Sequence, residues 1–197
     1  MQIRAILLTA AVSFTLATCA LAASAISDGE AAQIVNAGRE HPVEKVNFRR
    51  AEEFPEVVAY GFFAYDRGYE LEGVIVGSKS FPQQAAARKA LALHHWDTAD
   101  ARTRENLAKA WVQHIALGFD SPIYQATPDF AEANKTYEPL SAVSASNGSV
   151  TVRVWIHGKT GKTPARNFYR EEYVFSRGGE VSKGESIDRF QRPIQRH

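Results

Sequence analysis

The single cysteine of this 197-residue chain, Cys19, lies within an apolar N-terminus, and its placement constrains what the rest can fold into. Arg4 brings one positive charge, residues 5–17 hold nothing more polar than Thr9, Ser13 and Thr15, and small residues close the stretch at Ala23-Ser24-Ala25. Charge, short apolar run and Ala-x-Ala follow one another as in a secretory signal peptide. The run falls short of the roughly 20 residues a helix needs to cross a bilayer. Cleavage after Ala25, or alternatively after Ala22, leaves a mature chain without cysteine, so it has no disulfide, thiol nucleophile or thiolate metal site. Its fold then rests on apolar packing alone, and export places it in the periplasm or outside the cell.

A second reading of the leader stays open. Leu16-Ala17-Thr18-Cys19 resembles the lipobox of bacterial lipoproteins, with Thr18 where Gly, Ala or Ser is usual. It implies lipidation of Cys19 and a membrane anchor. From Ile26 to His197 about 172 residues remain, which suits one α+β domain with a sizeable core. Without Arg4 the 23 basic residues become 22, equal to the 22 acidic ones. A neutral chain lacks the basic field that displaces counterions from nucleic acid, so no such partner is expected. The basic tail (Arg189, Arg192 and Arg196 against Asp188) is short, broken by Pro193, and read as solvated. No transmembrane span is expected after processing.

Ser27-Asp28-Gly29-Glu30 forms a capping box, and Ala31, Ala32, Ile34 and Val35 continue it as a short helix that ends near Gly38. Residues 39–55 are charged and Pro-punctuated, and read as a loop. Residues 57–65 and 69–76 are β-branched and aromatic and split by Asp66-Arg67-Gly68, a hairpin signal. Ser80-Phe81-Pro82-Gln83 reads as a second capping box, opening a helix over 81–95. Asp97 or Thr98 is expected to cap the next helix, which runs to Leu117 and stops at Gly118. On it Leu107, Trp111, His114 and Ile115 share one face, with Glu105 and Lys109 paired opposite. Residues 120–139 read as a long connection. Strands are expected over 140–145, 149–157, 167–176 and 181–187, with tight turns at Ser146-Asn147-Gly148 and Arg177-Gly178-Gly179.

The order helix, hairpin, two helices, antiparallel sheet resembles the NTF2-like (cystatin-like) cone, in which a curved sheet wraps a helix around a cavity. The resemblance is one of element order over most of the mature chain and extends to the periplasmic domains of type IV secretion components. It implies an α+β class with helices packed on a curved antiparallel sheet; fold alone implies no function.

The chemistry-bearing residues divide as follows. Gly158-Lys159-Thr160-Gly161-Lys162-Thr163 lacks the upstream glycine and the following helix of a phosphate loop, and reads as a plain connection. Adjacent His94 and His95, near Asp97 and Asp100, point about 100° apart on a helix, which suits a helix break better than a metal site. No metal or cofactor is expected. His114, beside Trp111, is a candidate general base if its face lines a cavity, and otherwise a core histidine. Residues 149–157 alternate, so that Val150, Val152, Val154 and Ile156 face the core while Thr151, Arg153, Trp155 and His157 face away. The neighbouring strand is expected to add Tyr169, Glu171 and Tyr173 to that second face. Aromatic residues mixed with Arg mark interface centres. Arg153, Trp155, His157, Tyr169 and Tyr173 are therefore the candidate binding residues, unless the N-terminal hairpin covers them. Asn134-Lys135-Thr136 and Asn147-Gly148-Ser149 fit the glycosylation pattern, which two short chance matches also would.

No Ser/His/Asp order, Gly-x-Ser-x-Gly elbow or His-Glu-x-x-His motif occurs. The expectation is an exported, non-catalytic domain that binds a protein or envelope component through a sheet face or a cavity, with a homodimer left open. The alternative is a small cone-fold hydrolase or isomerase using His114 with a carboxylate.

Overall fold

The computed structural model describes residues 25–64, 68–118, 138–157, 167–184 and 187–191. The leader with Cys19, the connection after Gly118, the phosphate-loop-like run and residues 192–197 of the basic tail lie outside them, as do the side chains of His157 and Tyr169.

Helix α1 (Asp28–Asn36) opens on the capping box its sequence specifies. The Glu30 amide donates to Ser27 Oγ at 3.3 Å, and the Ser27 amide donates back to Glu30 Oε2 at 2.8 Å. Four antiparallel strands follow in the order β1 (Val46–Ala51), β2 (Phe54–Ala64), β3 (Gly68–Val76) and β4 (Lys79–Phe81). Both faces of this first sheet are covered. Val58, Tyr60 and Ile75 pack against Ala31 and Val35 of α1, while Val57, Ala59, Val74 and Val76 join the main core. Burial on both sides is why these stretches read as unbroken apolar runs. Strand β1 lies inside the stretch read as a loop. Its apolar residues Val46 and Phe48 alternate toward the α1 cluster, and its arginines sit on a sheet edge, where charge is ordinary.

The β2–β3 pair leaves no room at Gly73. A Cβ there would meet the Tyr60 hydroxyl at 2.7 Å, and that hydroxyl shares a 2.8 Å hydrogen bond with Ser80. Tyr60 is buried and unable to swing clear. Gly73→Ala is therefore expected to lower stability by about 1–3 kcal/mol through overpacking. Chemical denaturation checks it: an unchanged midpoint would contradict the packing described.

Ser80 is thus spent on Tyr60 and on β4, and the second capping box does not form. Helix α2 (Gln83–Leu93) begins after Pro82, with no side-chain cap. It ends at His94 and His95. His95 takes a left-handed φ of +54°, and the Trp96 and His95 amides donate to the carbonyls of Leu91 and Ala92, a Schellman stop without glycine. Helix α3 (Ala101–Trp111) is capped by Asp100 instead of Asp97 or Thr98, its Oδ1 accepting from the Thr103 amide at 2.8 Å. It continues as a π-helical turn (Val112–Ala116) and stops at Gly118, φ +59°. Glu105 accepts from the Ser144 amide at 2.9 Å, tying α3 to the second sheet where an i,i+4 pair with Lys109 was expected.

Hydrogen bonds from Ser27 hold the Glu30 carboxyl below its ordinary 4.5, and those from Thr103 hold Asp100 below its ordinary 3.8. Depressed native values mean the caps contribute fully above those ordinary values and fail as pH falls through the lower native ones. Amide protection in the first turns of α1 and α3 is expected to drop below about pH 4 while the core amides hold. Uniform protection down to about pH 2 would contradict it.

The second sheet runs β5 (Leu140–Ser144), β6 (Val150–His157) and β7 (Asn167–Phe175), with β8 (Val181–Lys183) and β9 (Ile187–Gln191) sharing the far edge of β7. The one strand expected over 181–187 is thus two. The turns at Gly148 and Gly179 use positive φ, +81° and +78°. One core joins α2, α3 and the inner faces of both sheets around Phe54, Trp96, Trp111 and Phe175. The architecture is α+β, with helices packed on antiparallel sheets. The strands divide between two sheets where the cone would have one. Among the described residues no helix is long and apolar enough to cross a membrane.

Candidate functional site

The β6–β7 register decides which side chains share a face. Arg153 pairs with Glu172, Trp155 with Arg170, Val154 with Glu171 and Val152 with Tyr173. Directly opposed residues lie on the same face of an antiparallel pair. Glu171 and Tyr173 therefore belong to the core face beside Val152 and Val154, one residue out of step with the expected set. A slip of one flips every side chain.

The five candidate binding residues are accordingly not brought together. Tyr173 is in the core, at 4 % exposure. Arg153 is exposed on the opposite face, its Nε donating to Glu172 Oε2 at 2.9 Å. Trp155 shares that face yet is only 5 % exposed. His157 and Tyr169 stand opposite Phe168 and Ile156 in the ladder, with side chains outside the described residues. His114 is half-buried in the π-helical turn and lines none of the described cavities. His94 and His95 terminate α2. His94 Nε2 stands 2.9 Å from Oε1 of the buried Glu56, and its ring meets Phe54 edge-on at 4.9 Å. Among the described residues no three His, Cys, Asp or Glu gather as a metal set.

The register instead builds a polar cluster at the core's edge. Glu171 is buried, and both of its oxygens are engaged: the Tyr173 hydroxyl donates to Oε2 at 2.7 Å and the Lys183 ammonium approaches Oε1 at 2.6 Å. Lys183 also lies 5.7 Å from the Tyr173 ring centroid. Beside this cluster is a recess of about 100 Å³ between the start of α2, the π-helical turn and β8. Gln83, Gln84, Trp111, Ala116, Tyr173 and Lys183 line it. The Trp111 indole is fully buried, and its Nε1 finds no acceptor. Buried polar groups are nearly always satisfied, so this unpaired donor, closed off from solvent, stands out in the core. The π-helical turn after Trp111 belongs to a class of helix irregularity common at functional sites.

A second, open groove of about 800 Å³ runs along α2 and β8 past Arg88, Lys89 and Glu180, and shares Gln84 and Val181 with the recess. Sequence reasoning missed Lys183 and Gln84, which carry no motif, and read Gln83 only as part of a capping box. It placed Glu171 and Tyr173 together but on the wrong side. No protein-family model, no curated protein and no solved structure matches this chain.

Proposed function

We propose that this chain is an exported, non-catalytic domain that holds a small envelope ligand, or one end of a larger one, in the recess between α2, the π-helical turn and β8. The observation that carries this reading is the recess itself, set beside the buried Glu171 carboxylate and the Lys183 ammonium at the core's edge. The volume favours a small group: about 10–15 Å³ holds one water, and pockets for drug-sized ligands begin near 300 Å³. The aromatic sheet face is the weaker alternative, because its tryptophan is folded in and its arginine is paired.

Export rests on the leader and is tested by the intact mass of the chain from membrane and aqueous fractions of the cells that make it. A mature mass beginning at Ile26 or Ala23 supports a free periplasmic or secreted domain. One beginning at Cys19 with acyl groups makes the chain an anchored lipoprotein instead, and a full-length cytoplasmic mass overturns export.

A further inference from the structure

We propose that docking of α1 closes the Ala25–Ile26 bond to proteolysis, so that processing after Ala25 takes place before the domain folds; the proposal rests on the export leader read from the sequence. A peptidase takes its substrate extended, with residues on both sides of the cut bond held along its own backbone. The residues that follow Ala25 are committed elsewhere. Ile26 stands just before the N-cap Ser27, where an apolar side chain staples a helix to the chain entering it. Its side chain is 9 % exposed and shares a satellite cluster with Ala31, Val35, Val58, Tyr60 and Ile75. The Ile26 carbonyl accepts from Arg50 Nη2 at 2.9 Å, and the same nitrogen lies 2.7 Å from Asp28 Oδ1.

Ser27 is occupied as fully. Its amide donates to Glu30 Oε2 at 2.8 Å, its hydroxyl donates to the same oxygen at 2.6 Å, and its carbonyl accepts from the Ala31 amide at 2.9 Å. Seating the Ala25–Ile26 bond in an extended site would draw Ile26 from its cluster, break the Arg50 contacts and open the capping box together. Ala25 itself is exposed, so the closure begins at the residue after it. Cleavage after Ala22 places Ala23 and Ser24 on the far side of the cut, ahead of Ile26 in the chain. Helix α1 has nine residues, too few to stand without docking. Its cluster lies across the first sheet from the main core, so α1 can leave as a unit while that core holds. The mature N-terminus then records the order of events: Ile26 for a chain cut while unfolded, Ala23 for one cut after folding.

The test is limited proteolysis of the full-length chain, leader included, with pancreatic elastase, which cuts after small residues such as alanine; fragment masses locate each cut. The folded wild type is expected to be cut upstream of Ala25 and not after it. Ala31→Asp, which sets a charge in the satellite cluster, is expected to release α1 and to speed the cut after Ala25 by at least about tenfold, since cleavage follows the open population. If that variant does not fold, Arg50→Met, which frees the Ile26 carbonyl, takes its place. A folded wild type cut after Ala25 as fast as the variant would overturn the closure. So would a leader that resists elastase throughout, because protection would then not begin at Ile26. A purified signal peptidase, given the same chain either refolded or freshly diluted from denaturant, separates the proposal from the leader reading. Cleavage after Ala25 of the unfolded chain alone is expected, and cleavage of both overturns the proposal. Cleavage of neither overturns the leader reading and the processing step with it, while the elastase contrast stands as a property of the fold.

Discussion

Trp155→Ala is expected to destabilise the folded chain by about 3–5 kcal/mol, the cost of truncating a buried tryptophan. The residue is 5 % exposed, although it sits on the β6 face that the alternation points away from Val150, Val152 and Val154. Its own amide donates to the Pro139 carbonyl at 3.1 Å, holding the chain entering β5 against β6. The measurement is equilibrium denaturation of both proteins, with the slope compared as well as the midpoint. A loss below about 1 kcal/mol would mean the indole is not packed, and would return the sheet face to candidacy as the binding surface.

Arg49→Met is expected to cost about 2–3 kcal/mol, the second large effect, and to loosen the π-helical turn selectively. Arg49 reaches from β1 to the end of that turn. Its guanidinium donates to the carbonyl of Gln113 at 3.0 Å and to that of Gly118. These carbonyls lie at the negative end of the α3 dipole, where a cation is stabilising. Burial lowers the Arg49 pKa from its ordinary value, yet a guanidinium remains protonated at physiological pH. Met keeps much of the apolar stem and removes both donors. Hydrogen exchange should accelerate in residues 112–118 beyond the global effect, and Arg49→Lys should not restore it, since one ammonium does not reproduce the planar fork. Equal acceleration throughout the core would show that Arg49 acts through general packing alone.

Local signals were the legible ones. Ser27 and Glu30 cap α1, β2 and β3 pair antiparallel as expected, and the alternation of β6 buries Val150, Val152, Val154 and Ile156. What escaped was decided by distant partners. Ser80 matches a capping box, but Tyr60, twenty residues away, claims its hydroxyl. Arg49 meets its carbonyls 64 and 69 residues along the chain, so its stretch read as charged loop. The β6–β7 register escaped because the connection between those strands carries no two-residue turn signal to set it. One step of register carries Tyr173 and Glu171 from an imagined outer surface to the core, and with them the candidate site. The recess itself is assembled from α2, the end of α3 with its π-helical turn, β7 and β8, which no local pattern links.

Native mass spectrometry of the mature chain, purified gently from the cells that make it, tests the recess most directly. The wild type is expected to carry a small adduct that Ala116→Leu lacks while keeping the same charge-state distribution, a sign of an unchanged fold. A wild type with no adduct, or an adduct that survives when the recess is filled, would contradict the account.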